Sequence, residues 1–514
     1  MAALDLPDLL TRAAGSRPDR VAVVEPGGRR LTWSELDREV TRLAGGLVAE
    51  GVVAGTRVLL ALGNRLEMVT AYLAVLRAQA VAVPVDPEGR AEDLATVLAD
   101  SGSRYAVTDA RAVDALRSAP GAPLLVVTDD VAPVAETERR FAALAGDGPL
   151  PPLLDPERLA VLLYTSGTSG PPRGVMLSHR ALAANLEQVG ALEPPLTLPD
   201  DVVLGVLPLF HVYGLAAVLG GVLRQASTLV LVQHFVANQA LDQVAHHHCT
   251  VVPVAPRALE RWLAREDLAD RMSGVRLVLS GSAQVDRVTW QRFQEAAGVP
   301  VHQGYGLTEA APVVTSTAVS GVDGGSPAGG SLGLPIPGVE MRVLDDHGDP
   351  VEPGDPGEIE IRGANLFSGY WPDGDDGPAA DGWWPTGDLG VLDDAGSLSL
   401  VDRVRETIVV AGFSVYPQEV EDALRQVPGV ADVAVIAGDD EADAVVAYVV
   451  PGGGGESADE LRAAVEEHAA TALASFKRPR RIEVVDRLPV GVTGRVQKGR
   501  LRHLERRRAL GLLA

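Results

Sequence analysis

With 514 residues, 46% of them hydrophobic, the chain is too long for one ordinary domain core, and at least two domains are expected. Its formal charge of −24 argues against nucleic acid as a primary partner and favours a well-dispersed, soluble protein. A single cysteine, Cys249, excludes an intrachain disulfide framework and fits a reducing, cytoplasmic compartment.

The N-terminus lacks the basic-then-apolar pattern of a secretory leader. Thr32 and Glu35 have capping-box spacing, and Leu36, Val40, Leu43 and Leu47 then recur on one helical face until Gly51. Val58–Leu62 reads as a buried strand, Leu66–Leu76 as a helix and Val81–Val85 as a strand. The alternation continues through strands at 105–107, 124–127 and 159–163, the pattern of an α/β fold. A helix is predicted from Ser178, with its first N–H groups close to the glycine-rich loop before it. Val202–Leu223 carries no charge and could span a bilayer, but Pro208, His211 and several glycines make it a buried strand, a turn and a packed helix, so no integral membrane segment is expected. His246, His247 and His248 cannot all face one point on a helix or strand, which excludes a zinc site there.

From Gly321 to Pro356 the composition turns to Gly, Pro and Asp, and short alternating pieces at 339–343 and 358–361 predict a small β-rich layer. A boundary at Val401-Asp402-Arg403 divides a large domain, 1–401, from a small α/β domain, 402–514. In the latter, strands are predicted at 407–410, 433–436 and 444–450, and helices after Pro417 and from Ser457, where Glu460 completes a second capping box. From Lys477 onward twelve Lys/Arg face three Asp/Glu, either a solvated basic tail or a surface that attracts phosphorylated ligands.

The stretch Tyr164-Thr165-Ser166-Gly167-Thr168-Ser169-Gly170-Pro171-Pro172-Arg173-Gly174 combines small residues, hydroxyls and a guanidinium, the composition of a phosphate-holding loop. It lacks the Lys-Ser/Thr of a Walker A motif. Gly304-Tyr305-Gly306-Leu307-Thr308-Glu309, Thr386-Gly387-Asp388 and the run from Asp402-Arg403 to Tyr416-Pro417-Gln418-Glu419-Val420-Glu421 follow it. In this order and spacing, from about Leu31 to Arg502, the motifs resemble those of the adenylate-forming superfamily of acyl-CoA synthetases, luciferases and peptide-synthetase adenylation domains, most of all acyl-CoA ligases.

The resemblance implies ATP, Mg²⁺ and CoA. Thr165, Ser166, Gly167, Thr168, Ser169, Gly170 and Arg173 would hold the β/γ-phosphates, Thr308 the α-phosphate and Glu309 the metal. Tyr305, between Gly304 and Gly306, would stack on adenine opposite Gly281-Ser282-Ala283, while Asp388 and Arg403 would take the ribose. The resemblance also implies that the 402–514 domain is mobile, with Arg405 at the hinge position, Gly412-Phe413 at the thiol tunnel and His211 at the carboxylate entry. Val206, Leu207, Gly214, Leu215, Leu279, Ser282, Ala283 and Ala310 offer no charge for an amino group, favouring a plain hydrophobic acid, fatty or aryl.

Arg495 stands where the superfamily's adenylation lysine is usual. Three readings remain open: Arg495 serves as an adapted cation, Lys498 replaces it, or the protein binds nucleotide or acyl-adenylate with weak turnover. The thiol acceptor is CoA or the phosphopantetheine of a carrier protein.

Overall fold

The computed structural model describes residues 6–146, 148–150, 155–165, 172–233, 235–285, 287–319, 331–345, 347–403, 406, 408–410, 413–438, 445–453, 457–474, 477–491 and 496–509. Contacts divide the chain into a larger unit, comprising residues up to Glu340 together with Ile361–Trp384, and a smaller one, comprising Met341–Glu360 and the residues from Pro385 onward. No helix among the described residues is long and apolar enough to cross a membrane.

The larger unit contains two seven-stranded sheets. The first runs, in spatial order, Glu138–Arg140, Leu124–Val127, Tyr105–Thr108, Arg57–Ala61, Val81–Pro84, Leu159–Thr165, Arg173–Ser178. The second runs Val301–Gln303, Leu277–Ser280, Val251–Val254, Val202–Gly205, Thr228–Leu231, Val21–Val24, Arg30–Thr32. Each is parallel except for one antiparallel hairpin at an edge. Parallel strands are buried on both faces, and their near-continuous Val/Leu/Ala runs reflect it. Helix Leu66–Arg77 is enclosed from Leu66 to Leu76, in keeping with a stretch that is apolar but for Glu67 and Thr70. The capping box at Thr32 forms, opening helix Trp33–Ala49.

Two polar ties join the sheets. After strand Arg57–Ala61, the Asn64 side chain donates to the carbonyls of Gly205 (3.0 Å) and Leu207 (2.9 Å) and accepts from the Leu209 N–H (2.9 Å). It is 2% exposed, so all three bonds are made away from water. The second tie is ionic: Arg29, on the hairpin of the second sheet, bonds both Glu25 and Glu67, and Glu67 also holds Arg65. The Leu66 N–H donates to Glu25 at 2.6 Å, so a buried carboxylate serves the start of the enclosed helix.

Strand Val202–Gly205 and the helical stretch from Tyr213 to Gln225 fill the uncharged segment. One expectation is corrected. Helix His179–Gly190 does begin after Ser178, whose hydroxyl caps it. However, strand Arg173–Ser178 lies between the glycine-rich loop and that helix, and Ser178 pairs with Leu159 at the far end of the hairpin. Five strand steps, roughly 17 Å, separate Ser178 from Arg173, the strand residue that follows the loop. The first helical residue, His179, is instead buried, its imidazole held down at about 4 and therefore neutral.

The β-rich layer is a four-stranded sheet, Val339–Leu344, Pro356–Gly363, Trp384–Leu392, Leu398–Arg403. Beyond it, hairpin Ile408–Val410/Phe413–Val415 precedes a three-stranded sheet, Val430–Ala437, Val445–Pro451, Arg481–Val484. Helices Pro417–Leu424, Ala458–Ala472 and Lys498–Ala509 pack around it, and Ser457 and Glu460 form their capping box.

Asn64→Ala should lower the stability of the larger unit by about 3 kcal/mol, because two carbonyls and one N–H lose their buried partner. All six tryptophans lie in this unit, so urea unfolding followed by their fluorescence measures it. A change below about 0.5 kcal/mol, the scale of an ordinary surface substitution, would contradict the role of Asn64.

Candidate active site

In the second sheet, strands Val202–Gly205, Val251–Val254, Leu277–Ser280 and Val301–Gln303 are parallel neighbours, so their carboxyl ends share one edge. The segments that leave that edge carry His211, Gly281-Ser282-Ala283 and Gly304-Tyr305-Gly306. The carboxyl edge of a parallel sheet is where open α/β folds bind ligands. Gly281 lies against the Tyr213 ring, and an added Cβ would stand 2.7 Å from it. Ser282 (φ +72°), in the segment after strand Leu277–Ser280, and Ala311 (φ +61°), after the 308–310 turn, are left-handed without being glycine, a local backbone cost at each.

Tyr305 is tied through its backbone to Thr315, whose hydroxyl accepts from the Tyr305 N–H at 3.1 Å and donates to the Leu332 carbonyl. The Nδ1 of His211 accepts from the Tyr213 N–H at 3.3 Å. Of the small apolar neighbours, Val206 belongs to a buried core with Leu204 and Val230.

Thr308–Ala310 form one 3₁₀ turn. Glu309 is 9% exposed, and the Tyr370 hydroxyl donates to its Oε1 at 2.8 Å. Segment 365–370 holds the turn at two further points: Asn365 donates to the Ala310 carbonyl, and the Phe367 N–H to the Glu309 carbonyl. The same segment pairs with the outer edge of strand Arg173–Ser178, the Ser368 N–H bonding Met176 O and the Trp371 N–H bonding Gly174 O. On its inner edge that strand pairs with Leu159–Thr165, and Thr165 stands opposite Arg173. The two ends of the glycine-rich loop and Glu309 are thereby connected through Tyr370, over whose ring the Arg173 guanidinium lies at 3.6 Å. Arg173 also pairs with Asp376 at 2.7 Å. Burial, then the Glu309 charge, pushes the Tyr370 phenol up, which keeps it a donor.

In the smaller unit, Asp388 and Arg403 are directly opposed across strands Trp384–Leu392 and Leu398–Arg403. Asp388 is 9% exposed, and its N–H donates to the Thr386 hydroxyl, which in turn donates to the Ile359 carbonyl. Lys498, 12% exposed, places its Nζ 2.9 Å from Glu421 and 3.2 Å from Glu406. Glu421 also accepts from the Val435 N–H, and burial raises its pKa while Lys498 opposes the rise. Lys477 pairs with Glu419, Arg481 with Glu483 and Glu505, and Arg508 with the same two carboxylates. Four of the twelve basic residues from Lys477 onward, Lys477, Arg481, Lys498 and Arg508, thus carry these ion pairs within the unit. Ser166, Gly167, Thr168, Ser169, Gly170, Arg405, Gly412 and Arg495 lie outside the described residues. For Phe413 the strand pairing with Val410 is described.

Asn64, Asn365, Tyr370 and Asp376 were missed in the sequence. Gly369-Tyr370 offered the one local signal, an aromatic beside a glycine. Gly369 has φ +95°, and a Cβ there would meet the Gly374 carbonyl at 2.1 Å.

Glu309 is an enclosed carboxylate, an oxygen donor of the kind that suits magnesium held with phosphates, and no group of three His, Cys, Asp or Glu that could hold a metal by itself occurs among the described residues. The sequence pattern of the AMP-binding enzymes matches residues 10–371, and that of the AMP-binding enzyme C-terminal domain matches 419–495. The chain is 33% identical to 4-coumarate–CoA ligase 5 of Oryza sativa subsp. japonica, over 97% of this chain and 94% of the relative. ATP-bound MatB from Rhodopseudomonas palustris superposes with a TM-score of 0.86 at 30% identity, over 98% of this chain and 99% of that one. O-succinylbenzoate CoA synthetase of Bacillus subtilis, solved with ATP and a magnesium ion, gives a TM-score of 0.82 at 26% identity, over 97% and 99%.

The Lys498 cluster predicts a pH signature. A raised Glu421 pKa stabilises below the unfolded value of about 4.5 and loses that contribution as pH rises. Lys498→Met removes the opposing charge, so it should cost about 3 kcal/mol at pH 8 and clearly less at pH 5. Hydrogen exchange of peptides covering 417–437 reads this, and an equal loss at both pH values would refute it.

Proposed function

Because the chain belongs to the AMP-binding enzymes of the adenylate-forming superfamily, we propose that it activates a hydrophobic carboxylic acid with ATP and passes the acyl group to the thiol of CoA. A carboxylate oxygen bonds to the α-phosphorus and pyrophosphate leaves. The thiol then bonds to the acyl carbon, losing its proton, and AMP leaves. The observation that carries this reading is the connection of Glu309 to Thr165 and Arg173 through Tyr370 and the strand edge.

In this reading the loop Thr165–Gly170 and Arg173 bind the β/γ-phosphates, and Thr308 the α-phosphate. Magnesium, when held by Glu309, supplies charge against the negative charge that develops on the phosphoryl oxygens. Tyr305 and Gly281-Ser282-Ala283 bracket the adenine, Asp388 and Arg403 bind the ribose hydroxyls, and His211 guards the carboxylate entry. The domain division at 401/402, the hinge at Arg405 and the thiol passage beside Gly412-Phe413 belong to the same proposal. Arg173 is 43% and Asp376 69% exposed, so their ion pair is worth under about 1 kcal/mol and yields readily to a phosphate. Lys498 is enclosed between two carboxylates, which supports assigning the mobile cation to Arg495. The coumarate named for the rice relative favours aryl acids among the hydrophobic candidates.

A second reading rests on Arg495 itself: a protein that binds nucleotide or acyl-adenylate but adenylates weakly. Carboxylate-dependent ATP–pyrophosphate exchange over a panel of aryl and fatty acids decides between them. Exchange with none of them, while ATP binds, favours the second. Discharge of the adenylate to CoA or to a phosphopantetheinyl carrier protein identifies the acceptor.

Glu309→Gln should slow adenylation at least tenfold, about 1.4 kcal/mol, with little change in thermal midpoint. Unchanged exchange with a normal magnesium requirement would remove Glu309 from the site. Arg495→Ala should suppress adenylate formation while conversion of supplied acyl-adenylate to thioester stays nearly intact, and Arg495→Lys should raise adenylation. Exchange unaltered by either substitution would place the cation elsewhere.

A further inference from the structure

Tyr370 makes contacts of two different chemistries, and they belong to two different parts of the site. Its hydroxyl reaches a carboxylate that is almost wholly enclosed, and its ring lies flat beneath a guanidinium. A phenylalanine would satisfy the packing alone, because the ring packs edge-to-face with Phe367 (centroids 5.1 Å apart) and meets Arg173 without help from the oxygen. The oxygen therefore serves Glu309.

The backbone around Tyr370 is fixed independently of either contact. Its N–H donates to the Asp375 carbonyl, and the residue bridges to Val175 on the hairpin edge. The next residue, Trp371, donates from Nε1 to the Asp100 carbonyl at 2.9 Å. Asp100 also accepts from the Tyr164 hydroxyl at 2.5 Å, on the strand that enters the glycine-rich loop. The side chain thus stands on a frame that the loop strands share.

We infer that Tyr370 is a positioning residue for adenylation, its hydroxyl setting the Glu309 carboxylate and its ring seating the Arg173 guanidinium, so that one side chain aligns metal carboxylate and phosphate-loop cation. The inference rests on the reading of Glu309 as the magnesium carboxylate. When a phosphate displaces Asp376 from Arg173, the ring contact remains and keeps the guanidinium in place, while the hydroxyl keeps Glu309 from turning away.

The test is ATP binding by calorimetry with and without magnesium, on the full chain, for Tyr370→Phe, Tyr370→Leu and Glu309→Gln, alongside steady-state kinetics. Tyr370→Phe should leave metal-free ATP affinity within about twofold, cut the gain in ATP affinity on adding magnesium about fivefold or more, and lower kcat about tenfold with acid KM unchanged. Tyr370→Leu, which also removes the ring, should in addition weaken metal-free ATP binding about fivefold. In a Glu309→Gln background, Tyr370→Phe should add little. The inference is overturned if Tyr370→Phe keeps the full magnesium gain while Glu309→Gln loses it, or if Tyr370→Phe weakens ATP and acid alike with a lowered thermal midpoint. A Glu309→Gln protein with a normal magnesium gain instead overturns the metal assignment, a separate failure.

Discussion

Strand Arg173–Ser178 is hydrogen-bonded along both of its edges, and the candidate site depends on that. One edge pairs with Leu159–Thr165 and brings Thr165 opposite Arg173, closing the base of the glycine-rich loop. The other accepts segment 368–371, which carries Tyr370 toward Glu309. A strand at the margin of a sheet normally leaves one row of N–H and C=O groups unpaired. Here that row recruits a stretch nearly two hundred residues away in sequence, from Gly174 to Trp371, and with it the carboxylate and the cation of the phosphate end.

The second sheet contributes through its carboxyl edge, and beside the packing of helix Trp33–Ala49 on helix Leu66–Arg77 polar contacts tie it to the first sheet. Asn64 meets the Gly205–Leu209 segment with both ends of its amide, just where the chain leaves the sheet toward His211. An amide inside an apolar core is tolerated because each of its contacts is satisfied, and the same requirement fixes one geometry. The Arg29–Glu25–Glu67–Arg65 chain does the same with charges. Its carboxylates are buried but multiply bonded, so their value is in arrangement more than in net stability.

The smaller unit uses buried charge differently. Helix Lys498–Ala509 is attached at both ends by ion pairs, Lys498 to Glu421 and Glu406 and, toward its end, Glu505 to Arg481, with the Tyr448 hydroxyl also donating to Glu505. Glu406 lies next to the candidate hinge at Arg405, and Lys498 three residues past Arg495, so one cluster connects the neighbourhoods of both. Asp388 and Arg403, fifteen residues apart in sequence, become cross-strand partners through the register of a single hairpin.

Much of this was legible in the order of residues alone, wherever the governing interaction is local. The capping boxes at Thr32 and Ser457, the enclosed helix after Leu66, the alternating strands and the ordered motifs that mark an adenylate-forming enzyme each depend on spacing within a few residues. The sequence also suggested a helix beside the phosphate loop, and there it failed. Local pattern shows that a strand and a helix follow the loop, but not that the strand folds back as a hairpin and carries the helix away from it. Tertiary structure alone decided that Tyr370 meets Glu309, that Asn64 joins two sheets and that Lys498 is held by two carboxylates. Those contacts join residues that only long-range strand pairing and core burial bring together, and hydrogen bonds of that kind leave no period in the chain from which they could be read.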